Sequence, residues 1–161
     1  MALRNLVLED DPLIRKTSRP VDEITPRIIK LLDDMADTMN FENRGIGLAA
    51  PQVGVLRRMF VVDVGDEHGL IEFINPEILE TSGSAVDNEG CLSVPGKGCA
   101  VERPTNVKVK ALDRNGEEFV LEAEGLLARC ICHEYDHLDG ILFIDKAVDG
   151  KIYTAEDYEE E

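Results

Sequence analysis

The most informative part of the sequence is Arg129-Cys-Ile-Cys-His133-Glu134-Tyr-Asp-His137-Leu-Asp-Gly-Ile141. It contains two of the three histidines of the chain, four positions apart, with a glutamate directly after the first. Residues four apart project from one face of an α-helix, so both imidazoles can reach one metal ion while Glu134 flanks the same site. A helix can carry two histidines by chance, but this ordered trio is typical of metal hydrolases. We therefore expect a metal-bearing helix, whose site needs a third ligand from elsewhere in the chain.

The length and composition are those of a single globular domain. We expect residues 1–148 to form one catalytic domain and residues 149–161 to form an acidic, mobile tail. The 33 acidic and 17 basic residues give a net charge of −16, which argues against binding to a nucleic-acid backbone. No apolar run approaches the roughly 18 residues of a membrane span and no secretion signal is recognisable, so a cytoplasmic location is expected. The four cysteines are then expected to be reduced or bound to metal.

Apolar periodicity predicts two helices, after an extended arm formed by residues 1–24. Thr25-Pro26 is typical of a helix start, and apolar residues then recur at helical spacing over residues 26–40. The second helix is the metal-bearing one, which we expect to begin at Gly125 and to stop at Gly140.

Alternating apolar residues predict two hairpins, formed by residues 59–64 with 70–74 and by residues 107–112 with 118–123. The second of these is joined by Asn115-Gly116, a strong turn signal. Asn75-Pro76 is expected to end the first hairpin, and residues 77–80 to form an edge strand after it. The short connections favour antiparallel pairing throughout.

Two segments rich in glycine are expected to form loops beside the metal. The first is Gly45-Ile46-Gly47-Leu-Ala-Ala-Pro-Gln52-Val-Gly54, in which backbone can approach a ligand closely. It lacks the spacing and the lysine of a phosphate-binding loop. Its single polar side chain, Gln52, belongs either to the site or to a surface turn. The second segment, residues 87–96, places Cys91 on a predicted loop.

Two residues are candidates for the third metal ligand, since a catalytic zinc-type site uses three protein ligands and one open position. Cys91 is favoured because a thiolate binds borderline-soft divalent ions strongly and its loop can reach the helix. The alternative is Glu156, which follows His137 by 19 residues, as in large zinc endopeptidases. The tail around Glu156 has no apolar pattern to hold it, and 161 residues leave no room for a second catalytic lobe.

Three motifs in order resemble those of the bacterial-type peptide deformylases, an iron or zinc metallohydrolase family. They are Gly45 to Gln52, Glu89-Gly-Cys91-Leu-Ser93 and His133-Glu-Tyr-Asp-His137. The resemblance implies an α+β fold in which antiparallel sheets and hairpins surround the buried metal-bearing helix. It also implies a cytoplasmic enzyme that removes the formyl group from the N-terminal formyl-methionine of nascent polypeptides and releases formate. We expect a monomer that works near the ribosome.

The resemblance also implies roles for individual residues. One divalent ion, Fe²⁺ with Zn²⁺, Ni²⁺ or Co²⁺ as alternatives, is held by Cys91, His133 and His137. Glu134 transfers the proton of the attacking water, and the Gln52 amide and the backbone N–H of Leu92 stabilise the oxyanion. The residues expected to bind substrate are Gly45, Ile46, Gly47, Gly90, Leu126, Arg129 and Cys130.

Some positions are unusual or open to two interpretations. Arg129 is unexpected beside a methionine side chain, so either its stem lines the pocket with its head in water, or the whole side chain lies in solvent. Cys132 stands where the family commonly has glutamine and is expected to point away from the ligands. Asp136 either supports a metal-bound histidine or, by the resemblance, pairs with Arg103. The chain ends in Glu159-Glu160-Glu161 where many members have a basic helix, which leaves the mode of ribosome docking open.

Overall fold

The computed structural model describes residues 2–41 and 45–154 of the chain. Two α-helices are present in the described residues, α1 (Pro26–Asn40) and α2 (Gly125–Leu138), together with short 3-10 helices at Pro12–Arg15, Ala50–Val53 and Phe143–Lys146. The strands are β1 (Gly47–Ala49), β2 (Met59–Val62), β3 (Ile71–Ser82), β4 (Ala85–Cys91), β5 (Val94–Arg103), β6 (Asn106–Leu112), β7 (Glu118–Glu124) and β8 (Tyr153–Thr154). The predicted α1 and α2 are confirmed. None of the helices in these ranges combines the length and the apolar character needed to cross a membrane.

All strands pair antiparallel, in two sheets. The larger sheet has the order β1-β2-β3-β6-β7, and the smaller has the order β4-β5-β8. The two predicted hairpins correspond to β2 with β3 and to β6 with β7. This is the predicted α+β fold of antiparallel sheets around a buried helix.

The large sheet is covered by a helix on each face, which explains the uninterrupted apolar run of β2. Phe60 and Val62 pack in one cluster with the α2 residue Ile131, whereas Met59 and Val61 pack in another with α1. Neighbouring residues of a strand point to opposite faces, so a strand buried on both faces has no polar alternation. A third cluster joins β5 to Ile14 of the N-terminal arm and to Phe143 beyond α2.

The end of α2 is held in place by close contacts with the N-terminal arm. Gly140 has a φ of 74°, and a Cβ at this position would lie 2.2 Å from the carbonyl oxygen of Arg15. Only glycine combines this backbone conformation with such a close approach. Arg58 Nη1 donates to the carbonyl oxygen of Leu138 at 3.2 Å and thus satisfies one of the last carbonyls of the helix.

Two predictions about strand ends were wrong. Asn75-Pro76 does not end a strand: β3 continues to Ser82, pairing first with β2 and then with β6. Asn75 adopts a φ of 51°, and its side chain bonds both the N–H and the carbonyl of Val21, which stabilises the irregularity. The predicted loop at residues 87–96 is mostly a hairpin formed by β4 and β5, because cross-strand pairing outweighs the turn preference of its glycines and proline.

The predicted acidic tail is partly paired. Tyr153 and Thr154 lie opposite Gly98 and Lys97 of β5 and form the third strand of the small sheet. Residues 155–161 of this predicted tail, which include Glu156, lie outside the described residues.

Candidate metal centre

The structure brings Cys91, His133 and His137 together. Cys91 is the last residue of β4, and the two histidines lie one turn apart on α2. One ligand atom from each residue lies within 4.8 Å of the others, and Cys91 Sγ is 3.4 Å from His137 Nε2. Sulfur and nitrogen ligands of one tetrahedral ion are about 3.5 Å apart, given metal bonds of about 2.3 and 2.0 Å. The three residues therefore fit one divalent ion of borderline softness.

Glu89 orients the first of the two histidines. Its Oε1 lies 2.9 Å from His133 Nδ1, which directs Nε2 toward the other ligand atoms. Burial alone would raise the pKa of Glu89, but hydrogen bonds with His133 and Arg103 hold it far below its ordinary range. No role for Glu89 was predicted from the sequence. Glu89 stands two positions before Cys91 in the same motif, but the segment was expected to be a loop, so no strand geometry related the two side chains.

Asp136 is not the carboxylate that hydrogen-bonds a histidine of the candidate centre; that carboxylate is Glu89. It accepts hydrogen bonds from Arg103 Nη1 at 2.6 Å and lies 2.9 Å from Lys146 Nζ. The alternative of pairing with Arg103, which the resemblance implied, is the one observed. His137 differs from His133, because its buried Nδ1 has no hydrogen-bond partner among the described residues.

Glu134 lies beside the ligands in a buried position. Its Oε2 is 4.0 Å from His133 Nε2, and its Oε1 has no hydrogen-bond partner in the described part of the chain. Burial raises the pKa of Glu134 to about 7. A Cβ on Gly47 would lie 2.6 Å from Glu134 Oε2, so the absence of a side chain in β1 makes room for the carboxylate.

Gln52 is buried, so its interpretation as a surface amide was wrong. Its Oε1 accepts a hydrogen bond from Ala49 N at 2.9 Å, and its Nε2 donates to Ser93 Oγ at 3.0 Å. The same Nε2 is 3.5 Å from Cys91 Sγ. These bonds hold the side chain in one orientation, with its N–H groups toward the ligand cluster.

A cavity of about 470 Å³ is lined by Cys91, His133 and Glu134, whereas Gln52 and His137 are not part of its lining. Ile46 and Leu126 are exposed at 42% and 54%. All seven residues predicted to bind substrate line it, namely Gly45, Ile46, Gly47, Gly90, Leu126, Arg129 and Cys130. A larger cavity of about 680 Å³, which includes Asp66 and Glu122 in its lining, shares no lining residue with it.

Arg129 lines the cavity, as one interpretation expected, but its head does not lie in water. The interpretation that places the whole side chain in solvent was wrong. The side chain of Arg129 is 11% exposed, and its guanidinium contacts Glu89 and two backbone carbonyls of the β4–β5 hairpin. Cys132 packs into the apolar cluster around α2, and burial raises its pKa to about 11. None of the four cysteines forms a disulfide.

Comparison with known proteins agrees with this geometry. The sequence profile of polypeptide deformylase matches residues 3–152. Peptide deformylase 1 of Clostridium perfringens is 60% identical over 145 residues, covering 90% of this chain and 98% of that protein. Peptide deformylase of Caldicellulosiruptor bescii is 60% identical over 148 residues, covering 92% and 87%.

Solved structures give the same result. The crystal structure of peptide deformylase from Thermotoga maritima has a TM-score of 0.87 at 41% identity, covering 91% of this chain and 99% of that one. A Met-Ala-Ser bound class I type b peptide deformylase from Acinetobacter baumannii has a TM-score of 0.83 at 34% identity, covering 89% and 98%. Peptide deformylases are metalloenzymes, and the cluster of Cys91, His133 and His137 could hold a metal ion. On its sequence, its fold and its site, the chain belongs to the peptide deformylase family.

Proposed function

We propose that this enzyme removes the formyl group from N-terminal formyl-methionine with Cys91, His133 and His137 as metal ligands and Glu134 as the proton-transfer group. The observation that carries the proposal is that Cys91, His133 and His137 form one cluster with Glu134 beside it. Cys91, His133 and Glu134 also line the cavity that holds the predicted substrate-binding residues. The alternative ligand, Glu156, is not needed to complete the donor set. An ion held by these residues would lie beside this cavity, as a catalytic ion requires, rather than in a closed structural site.

The ion would be held by one thiolate and two neutral imidazoles. A divalent ion bound there supplies Lewis acidity, which makes water nucleophilic near neutral pH. We propose Fe²⁺, with Zn²⁺, Ni²⁺ and Co²⁺ as ions that the same donor set accepts.

Glu134 moves the proton. It accepts a proton from the water whose oxygen attacks the formyl carbon, and returns it to the methionine nitrogen as the C–N bond breaks. Without this transfer an amide anion would have to leave, which is prohibitive near neutral pH. The products are formate and a free amino terminus. The buried carboxylate of Glu134 lies 4.0 Å from His133 Nε2, which supports its role in both proton transfers.

Gln52 and Leu92 stabilise the charge that develops on the formyl oxygen. The Gln52 amide is held by Ala49 and Ser93, so its orientation does not have to change during the reaction. The backbone N–H of Leu92, in the turn directly after Cys91, is the second donor. Removing one such donor typically costs about 2.7–4 kcal/mol of barrier.

The cavity suits an extended peptide that begins with methionine. The edge strand β1 and the end of β4 border it, so substrate backbone can bind beside Gly45, Gly47 and Gly90 in the manner of an added strand. Ile46, Leu126, Cys130 and the stem of Arg129 offer apolar surface to the methionine side chain. The relative from Acinetobacter baumannii, whose structure is described as bound to Met-Ala-Ser, supports this choice of substrate.

We infer a cytoplasmic enzyme that acts as a monomer near the ribosome. Nascent formyl-methionyl chains emerge in the cytoplasm, and one chain supplies every residue of the proposed site.

The direct test is formate release from formyl-Met-Ala-Ser under anaerobic conditions, with the metal identified in the same sample. Absence of formate from protein loaded with Fe²⁺, Ni²⁺ or Co²⁺ would overturn the proposal. Two variants separate the roles: Cys91→Ala should lose the metal, whereas Glu134→Ala should keep it and lose nearly all turnover. Glu156→Gln is the control against the endopeptidase alternative and should keep both.

A further inference from the structure

Arg129 carries a buried charge that the proposed chemistry does not use. It lies four residues before His133, one helical turn away on the same side of α2. Its side chain is 11% exposed, although arginine is almost never buried unless it is paired. A pocket for an apolar methionine side chain gives no reason for a guanidinium at this place.

The guanidinium connects α2 to both strands of the hairpin that carries Cys91. Its Nη1 donates to the carbonyl of Val101 in β5 at 3.0 Å, and its Nη2 donates to the carbonyl of Ala85 in β4 at 2.8 Å. Its Nη1 also donates to Glu89 Oε2 at 2.6 Å. One planar group with several donors thus links both strands of the hairpin to the helix.

Glu89 is held from two sides by arginines. Arg103 Nε donates to Oε2 at 2.9 Å and its Nη2 donates to Oε1 at 3.0 Å, while Arg129 contacts Oε2. The remaining contact of Oε1 is the one with His133 Nδ1 at 2.9 Å. Both arginines therefore act on the carboxylate that sets the direction of a metal-binding imidazole.

We propose that Arg129 is a positioning residue, which fixes the β4–β5 hairpin against α2 and so holds Glu89 where it orients His133. This contact keeps Cys91, on the hairpin, at a fixed distance from the two proposed ligands on α2, His133 and His137. The inference rests on the proposed function for the identity of the site. Loss of the Arg129 guanidinium should weaken metal binding more than substrate binding, because no atom of the guanidinium is required to touch substrate.

The first test uses Co²⁺ as the probe. Arg129→Met keeps the length of the stem and removes the guanidinium. We expect the dissociation constant for Co²⁺, measured by competition with a chelator, to rise about tenfold, the lower end of the range for partners of metal-binding histidines. The visible absorption bands of bound Co²⁺ should shift as the ligand geometry changes. For formyl-Met-Ala-Ser, kcat should fall while KM changes much less.

The second test asks whether Arg129 acts through Glu89. In a background of Glu89→Gln, Arg129→Met should weaken Co²⁺ binding by clearly less than in the wild type, because residues in one network are not additive. Arg129→Lys should restore part of the loss. Arg114→Met is the matched control, since Arg114 also bridges two carboxylates, Glu72 and Asp33, but lies in the β6–β7 turn. It should leave Co²⁺ binding unchanged.

Two outcomes would overturn the inference. One is an unchanged Co²⁺ affinity and spectrum in Arg129→Met, and the other is that the effects of Arg129→Met and Glu89→Gln on Co²⁺ binding are fully additive. If Arg129→Met does not fold, Arg129→Gln and Arg129→Lys are judged by the same criteria. Failure of the proposed function has a different signature, namely wild-type protein that binds Co²⁺ but releases no formate.

Discussion

Replacing Gly47 with alanine tests whether the space beside Glu134 is essential to the reaction. Gly47 lies in β1 with an ordinary negative φ, so alanine is compatible with the backbone. An alanine Cβ would lie 2.6 Å from Glu134 Oε2 and 2.8 Å from Cys130 Sγ. The perturbation is therefore purely steric, and it acts on the proposed proton-transfer group.

The size of the effect follows from these distances. To reach an ordinary contact of 3.4 Å, the carboxylate of Glu134 has to move by about 0.8 Å. A misplacement of about 1 Å of a catalytic group costs about 10²-fold in rate, or about 2.7 kcal/mol of barrier. Overpacking of this kind also lowers the free energy of unfolding by about 1–3 kcal/mol.

The assay is formate release from formyl-Met-Ala-Ser, with metal content and the free energy of unfolding measured on the same protein. We expect Gly47→Ala to retain its metal and to lose about 10²-fold in kcat. Gly90→Ala is the steric comparison, because the nearest atom to its Cβ would be 3.9 Å away, and its unfolding free energy should stay close to that of the wild type. Wild-type kcat in a metal-loaded Gly47→Ala protein would refute the reasoning.

Three further predictions concern the oxyanion, the core and the acid stability. Gln52→Ala should lower kcat by about 10²–10³ with the metal retained, and retained turnover would exclude Gln52 from the mechanism. Phe73→Ala should lower the free energy of unfolding in urea by about 3–5 kcal/mol, because this ring is fully buried between two others. Although burial raises it, hydrogen bonds from Arg4 and Lys30 hold the pKa of Asp34 below its ordinary value of 3.8. Asp34→Asn should therefore cost about 1 kcal/mol at pH 7, and in urea titrations this difference should vanish as pH falls through the lowered pKa.

Much of the fold could be predicted because it follows local rules. Helix α1 begins where Thr25 precedes a proline and continues as long as the apolar spacing lasts. The β6–β7 hairpin follows from Asn115-Gly116 between two alternating segments. In each case the pattern and its structural cause lie within a few residues of each other.

The β4–β5 hairpin could not be predicted in the same way. Its segment is punctuated by Gly90, Pro95 and Gly96, which favour turns when considered alone. The strands form because each pairs with the other and because β5 packs against Ile14 and Phe143, which are distant in sequence. Such tertiary contacts override local preference.

The residue types of the candidate centre could be read from the sequence, and so could the placement of His133, Glu134 and His137 on one helix. Helical geometry alone is sufficient for that, since spacing of three or four residues sets which side chains are neighbours. Three features depend on the folded chain: Cys91 Sγ lies 3.4 Å from His137 Nε2 across 46 residues, Glu89 orients His133, and Arg129 is largely buried. These contacts join elements far apart in the chain, so they depend on how the hairpin packs against α2 and on which buried polar groups need partners there.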